Sequence, residues 1–233
     1  MELWLFFLRW VHFLSGITWI GILYYFNFIQ TPFFAETEAP VRSAAVQKLV
    51  PRALWWFRWG AMITFLAGIL IYIHKLVEAG GEVFYASPYG LAITTGGVMG
   101  TLMFLNVWLV IWPKQQVVIA SATQAAQGGQ AIPEAAACAR RAALASRTNT
   151  LFSIPMLFFM GSASHYPSIV GETSGGSLTW FWITSLVIIA VVELNALFGT
   201  QGATKKPLDS VSGTLWAGFI LTAILYLLFL ILF

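Results

Sequence analysis

Six apolar runs of membrane-crossing length decide what this chain can fold into. They are roughly Leu3 to Phe28, Ala53 to Val77, Tyr89 to Trp112, Thr148 to Tyr166, Leu178 to Gly199 and Val211 to Phe233. Each is close to the ~20 residues that an α-helix needs to cross a hydrocarbon core of about 30 Å. Open strands would leave backbone polar groups unsatisfied in lipid, and the runs do not alternate as barrel strands do, so helices are the predicted form. Charged residues make up only 9% of the sequence, against about 25% in a soluble domain. The expectation is an all-α, polytopic transmembrane helix bundle of about six spans, built as a single membrane domain over residues 1–233. The first run has no basic stretch ahead of it and no small-residue cleavage site after Phe28, so it is expected to remain as a helix rather than leave as a signal peptide.

The basic residues set an orientation. Arg42, Lys48, Arg52, Arg58, Lys114, Arg140, Arg141, Arg147, Lys205 and Lys206 lie in or beside the odd-numbered connections, and only Arg9 and Lys75 lie elsewhere. The positive-inside rule makes the odd connections cytoplasmic and places both termini outside. Trp4, Trp55, Trp56, Trp112, Tyr166, Trp180 and Trp182 fall at predicted span edges, where aromatic rings anchor. The net charge of +3 is thus distributed by membrane side; lipid is the expected partner and nucleic acid is not. Between the spans, Ala35 to Arg52 predicts a short helix on the cytoplasmic face. The long connection, about 114–147, predicts two helical pieces with a turn at Gly128-Gly129 and Pro133 near the start of the second, either separate or prolonging the third and fourth spans.

Ionisable residues inside membrane runs are costly and point to function. On this topology His12, His74 and His165 all lie toward the outer side. At 1.5 Å per residue, His12 would sit ~12 Å below the outer edge, His74 ~6 Å and His165 within ~3 Å. Helical spacing places Ser15, Gly16 and Trp19 beside His12, and Ser162, Gly161 and Phe158 beside His165. Small neighbours leave a slot for a flat macrocycle, and imidazole is a standard axial ligand of haem iron. Cys138 is the only cysteine, which excludes covalent c-type attachment and makes non-covalent haem b the expected cofactor. His12 and His74 are the expected metal ligands. Arg9 and Lys75 are expected to meet haem propionates, and His165 to serve as an alternative ligand, propionate partner or substrate contact. Copper is the less favoured metal, since no Met or Cys joins the histidines in an obvious copper arrangement.

A second polar group, Asn27, Arg58, Asn106, Asn149, Glu193 and Asn195, falls near the inner ends of the first five spans. The favoured reading is a structural hydrogen-bonded network in which Glu193 pairs with Arg58 or Arg147; a proton path or cytoplasmic substrate pocket is the functional alternative. Gly96 and Gly100 form a GxxxG expected to mark close helix packing.

Three separated stretches carry a resemblance. Trp10-Val11-His12 with Gly16-Ile17-Thr18-Trp19-Ile20-Gly21, Phe104-Leu105-Asn106-Val107-Trp108 through Ile111-Trp112-Pro113, and Arg147-Thr148-Asn149-Thr150-Leu151-Phe152-Ser153-Ile154-Pro155 with Ser164-His165 resemble the urate oxidase N-terminal (PuuD-like) membrane domain family. The start of the first span is more loosely similar to membrane proteins of the HemJ and CopD type, which implies a haem or copper role for an early histidine. The family resemblance implies a bacterial inner (cytoplasmic) membrane oxidoreductase that converts urate to 5-hydroxyisourate and passes electrons to a cytochrome c domain. The sequence contains no CxxCH, so a separate periplasmic cytochrome c is the expected acceptor. The alternative is a non-catalytic accessory subunit packed against a larger respiratory or photosynthetic membrane complex.

Overall fold

The computed structural model describes residues 2–165 and 175–233; the predicted edge residue Tyr166 and most of the Gly171 to Ser177 connection lie outside them. The described residues form helices and no strands. In chain order the α-helices are α1 (Glu2–Tyr24), α2 (Thr31–Glu36), α3 (Ala39–Lys48), α4 (Val50–Ala79), α5 (Gly81–Ala86), α6 (Pro88–Leu105), α7 (Trp112–Ala126), α8 (Ala135–His165), α9 (Gly175–Leu197) and α10 (Val211–Leu232). Wide π turns join α1 to α2 (Tyr25–Gln30) and α6 to α7 (Asn106–Ile111), and a 3₁₀ segment (Ala203–Asp209) precedes α10.

Five stretches are long and apolar enough to cross a membrane: Glu2–Glu36, Val50–Ala79, Pro88–Ala126, Gly175–Leu197 and Val211–Leu232. They correspond to five of the six predicted runs. The remaining run belongs to α8, whose buried face carries Arg147, Thr148, Asn149, Thr150 and Ser153. The short helix predicted between the first two runs is present as α3. The long connection is resolved in favour of prolonged helices: the third run continues to Ala126, the chain turns through Gly128 at a φ of 84°, and α8 begins at Ala135.

Both π turns have a side chain in the backbone ladder. Asn27 Nδ2 donates to the Leu23 carbonyl (2.9 Å), and Asn149 Nδ2 donates to the Met103 carbonyl (2.9 Å). Each carbonyl is the one that the amide four residues on would take in an α-helix, and a side chain inserted there opens the turn.

Glycines set the close helix contacts. At Gly60 an added Cβ would lie 3.2 Å from the Trp19 backbone nitrogen and 3.4 Å from the Ser15 carbonyl oxygen, which brings α4 against α1. At Gly96 it would lie 2.8 Å from Met160 Cγ and 3.1 Å from the Met156 oxygen, so the GxxxG of α6 does mark packing, here against α8. Pro155 inside α8 removes the amide that would bond the Leu151 carbonyl. Gly218 of α10 lies against that carbonyl, 2.9 Å from where its Cβ would stand. Helix α8 therefore sits at the centre, touching α1, α6, α7, α9 and α10, while α1 and α4 form a pair at one side.

Candidate functional site

The α1–α4 seam supplies the best-built polar site. His12 Nδ1 lies 2.8 Å from the Thr64 carbonyl oxygen. A carbonyl only accepts, so Nδ1 carries the hydrogen and Nε2 of the neutral ring keeps its lone pair free. This is the tautomer in which histidines bind metals through Nε2, with the other nitrogen fixed by a backbone carbonyl. Gly68, one turn beyond Thr64, makes room for the ring: a Cβ there would stand 2.9 Å from His12 Cε1 and 3.1 Å from Nδ1. Behind the ring, the Thr64 hydroxyl donates to Ser15 Oγ (2.9 Å), and Ser15 Oγ donates to the Val11 carbonyl (2.7 Å). Thr64 and Gly68 were not anticipated. The available signal was the four-residue spacing of small residues Gly60, Thr64 and Gly68 on one face of α4.

The other expected site residues are arranged less tightly. His74 lines a shallow cleft with Trp4, Leu70, Ile73, Val77 and Glu78. It lies six residues beyond Gly68, ~9 Å farther along the α4 axis, so His12 and His74 occupy different levels of the α1–α4 pair. Lys75 is paired with Glu78 (2.5 Å) at the mouth of that cleft. Arg9 is exposed, one turn from His12 toward the N-terminus, and His165 is exposed at the last residue of α8. Among the described residues no three His, Cys, Asp or Glu side chains come together in a metal-holding group. A haem needs one or two axial ligands rather than such a cluster, and the free Nε2 of His12 beside Gly68 fits one of them.

The inner polar group is real but differently wired. Asn106 Nδ2 donates to Asn149 Oδ1 (2.9 Å) and to Glu193 Oε2 (3.1 Å). Glu193 therefore meets an amide, not Arg58 or Arg147; the ion pairs among the described residues are Lys75–Glu78 and Arg140–Asp209. The reason is direction. Arg58 points into tryptophans of the α6–α7 segment, its Cζ 3.9 Å from the Trp112 ring centre. Arg147 is buried on α8 with Nη1 unbonded. Asn27 joins Ser146 (2.8 Å), Tyr24 joins Ser153 (2.9 Å), and Asn195 bonds the Thr204 carbonyl (3.1 Å), apart from the others. Arg140, Arg141 and Lys205 turn to the carbonyls that follow α9: Thr200, Leu197 with Gly199, and Phe198 respectively. Cations suit a helix C-terminus. Burial, with Arg141 and Arg140 nearby, pulls the Lys205 ammonium below its ordinary pKa.

A family model described as urate oxidase N-terminal matches residues 82–229. The chain belongs to the urate oxidase N-terminal family. The match runs from α5 nearly to the end of α10 and so includes the last two spans, where the motif resemblance was only general. It contains the Asn106–Asn149–Glu193 group, Trp108, Trp112, Arg147 and His165, whereas Arg9, His12, His74 and Lys75 precede it. No curated protein and no solved structure matches the chain. For this member of the urate oxidase N-terminal family, the site on α1 and α4 therefore rests on geometry.

Proposed function

We propose that this protein is an inner-membrane redox protein in which His12 holds the iron of a b-type haem and which oxidises urate to 5-hydroxyisourate, delivering electrons to a separate periplasmic cytochrome c. The observation that carries the reading is the His12 Nδ1–Thr64 carbonyl bond, which leaves Nε2 as the nitrogen that can take a metal. On the six-span reading, in which α8 also crosses and both termini lie outside, His12, His74 and His165 share one membrane face. Haem would supply one-electron redox chemistry at that face. The chain's own residues do the positioning. Thr64 fixes the ring and its tautomer, while Arg9, and Lys75 shared with Glu78, attract propionates or an anionic purine. His74 is the candidate second ligand, and it reaches His12's iron only by closing the offset along α4.

The test is a reduced-minus-oxidised spectrum with pyridine haemochrome analysis of the purified protein. A b-type signal that disappears in His12→Ala is expected; an unaltered spectrum in that variant refutes the ligand assignment. His74→Ala should change the axial-ligand signature only if His74 is the second ligand. Urate-dependent reduction of added cytochrome c then tests the reaction. Absence of haem and of copper would favour an accessory subunit of a larger complex.

A further inference from the structure

Arg58 is a cation without an anion. Its Cζ lies 3.9 Å from the ring centre of Trp112, 5.1 Å from that of Trp108 and 5.6 Å from that of Trp59. The guanidinium makes no hydrogen bond or ion pair with any described residue, and its Nε is buried and unbonded. The neighbouring Trp108 Nε1 is also buried and unbonded. The guanidinium's terminal Nη1 and Nη2 are not enclosed in this way, so they are the unpaired donors that a ligand can reach. Cation–π stacking holds a guanidinium by its face and leaves its N–H fork at the edge, the geometry that matches two oxygens of a phosphate.

Depth indicates which phosphate. Trp112 ends the third apolar run and is followed by Pro113 and Lys114, so a guanidinium stacked on its ring sits at the membrane edge. Trp55, Trp56 and Trp59 on the adjoining turns of α4 expose 48%, 59% and 38% of their surface, as rings at the headgroup level do. The basic residues Arg42, Lys48 and Arg52 precede them on the same side. We infer that Arg58, stacked on Trp112 and Trp108, binds the phosphodiester of an anionic phospholipid from the cytoplasmic leaflet. Arg58 takes two phosphate oxygens through Nη1 and Nη2, and the Trp112 and Trp108 rings fix the guanidinium plane. The assignment stands whether or not His12 holds haem.

Native mass spectrometry of the full chain in detergent, with phosphatidylglycerol or phosphatidylcholine added, tests it. One tightly retained phosphatidylglycerol is expected, bound at least tenfold better than phosphatidylcholine. Arg58→Gln should weaken it tenfold or more, and Arg58→Lys should restore part of the loss. Trp112→Leu, which keeps the cation but removes the ring it stacks on, should weaken it several-fold and carries the test if Arg58→Gln does not fold. Lys114→Gln should change little. Equal retention of the two lipids, or undiminished phosphatidylglycerol on folded Arg58→Gln or on Trp112→Leu, would overturn the proposal. Displacement of phosphatidylglycerol by millimolar inorganic phosphate from wild type would assign the pocket to a soluble oxyanion and overturn the lipid assignment.

Discussion

Replacing Gly68 by alanine tests the His12 site with a single methyl group. The new Cβ would stand 2.9 Å from His12 Cε1 and 3.1 Å from Nδ1, whereas carbon contacts are optimal at about 3.5–4.0 Å. The ring must therefore retreat by roughly 0.5–1 Å, and its Nδ1–Thr64 bond of 2.8 Å must stretch or break. Overpacking costs about 1–3 kcal/mol, and losing the net value of one hydrogen bond about 0.5–1.5 kcal/mol. Against this, Gly→Ala within a helix gains up to about 1 kcal/mol of propensity. Gly97 supplies the control, since a Cβ there meets nothing within 4 Å. Gly97→Ala should be neutral or stabilising, and, the propensity gain being common to both, Gly68→Ala should be less stable than it by about 1.5–4.5 kcal/mol, read by tryptophan fluorescence on heating in detergent. In a His12→Ala background the clash is gone, and Gly68→Ala should become neutral or stabilising too. Equal midpoints for Gly68→Ala and Gly97→Ala, or the same Gly68→Ala effect with and without His12, would refute the seat of His12 against α4.

Asn106→Leu removes the donor to both Asn149 and Glu193 and leaves those acceptors buried, so a loss of about 2–4 kcal/mol is expected on melting; Glu193→Gln should cost less, because an amide oxygen still accepts from Asn106. For Lys205, a pKa lowered by burial and by Arg141 and Arg140 means that the folded state binds its proton less tightly than the unfolded one. Its destabilising charge is fully present below the lowered pKa and is relieved as pH rises from there toward the ordinary value near 10.4. Wild type should gain stability over that window relative to Lys205→Met, and parallel melting curves for the two would contradict the assignment. Gly218→Leu should disrupt α8–α10 packing against Ile154 and the Leu151 carbonyl, seen as loss of a monodisperse detergent-solubilised species.

The runs of apolar residues made the helices legible, because lipid leaves an isolated segment no other way to satisfy its backbone. His12 was legible for the same reason: polarity at that depth is expensive, so it needs a partner. The partner itself was not legible. Thr64 offers only its backbone carbonyl, which no residue type signals, and its meeting with His12 depends on the register of α1 against α4. The π turns were hidden likewise, since the Asn149 amide reaches the Met103 carbonyl from a helix 46 residues away in sequence. Glu193 shows the converse error. Charge type suggested a guanidinium partner, but the angular positions of Arg58 and Arg147 turn them toward tryptophans and toward a different face of α8, and the amide of Asn106 takes the place.

The family match begins just after α4, so the proposed haem ligand and the family-matched bundle are distinct parts of one fold, and what joins them matters. Away from α4, the described side-chain hydrogen bonds of the first helix and its π turn reach α8, through Tyr24 to Ser153 and Asn27 to Ser146. Helix α4 in turn lays Arg58 over Trp108 and Trp112 of the α6–α7 segment. These links lie toward one end of the α1–α4 pair, whereas His12 and His74 lie toward the other. The His74 end of α4 is tied to the bundle as well, by the Tyr72–Thr94 hydrogen bond (2.8 Å) and the Tyr72–Phe84 ring contact, with Phe65 stacked on Phe104 farther along the helix. Because those ties use Phe65 and Tyr72, while Gly60 and Gly68 face α1, a substitution at Gly60 or Gly68 should disturb His12 without unfolding the α6–α8–α10 bundle, which separates loss of a redox centre from loss of the fold.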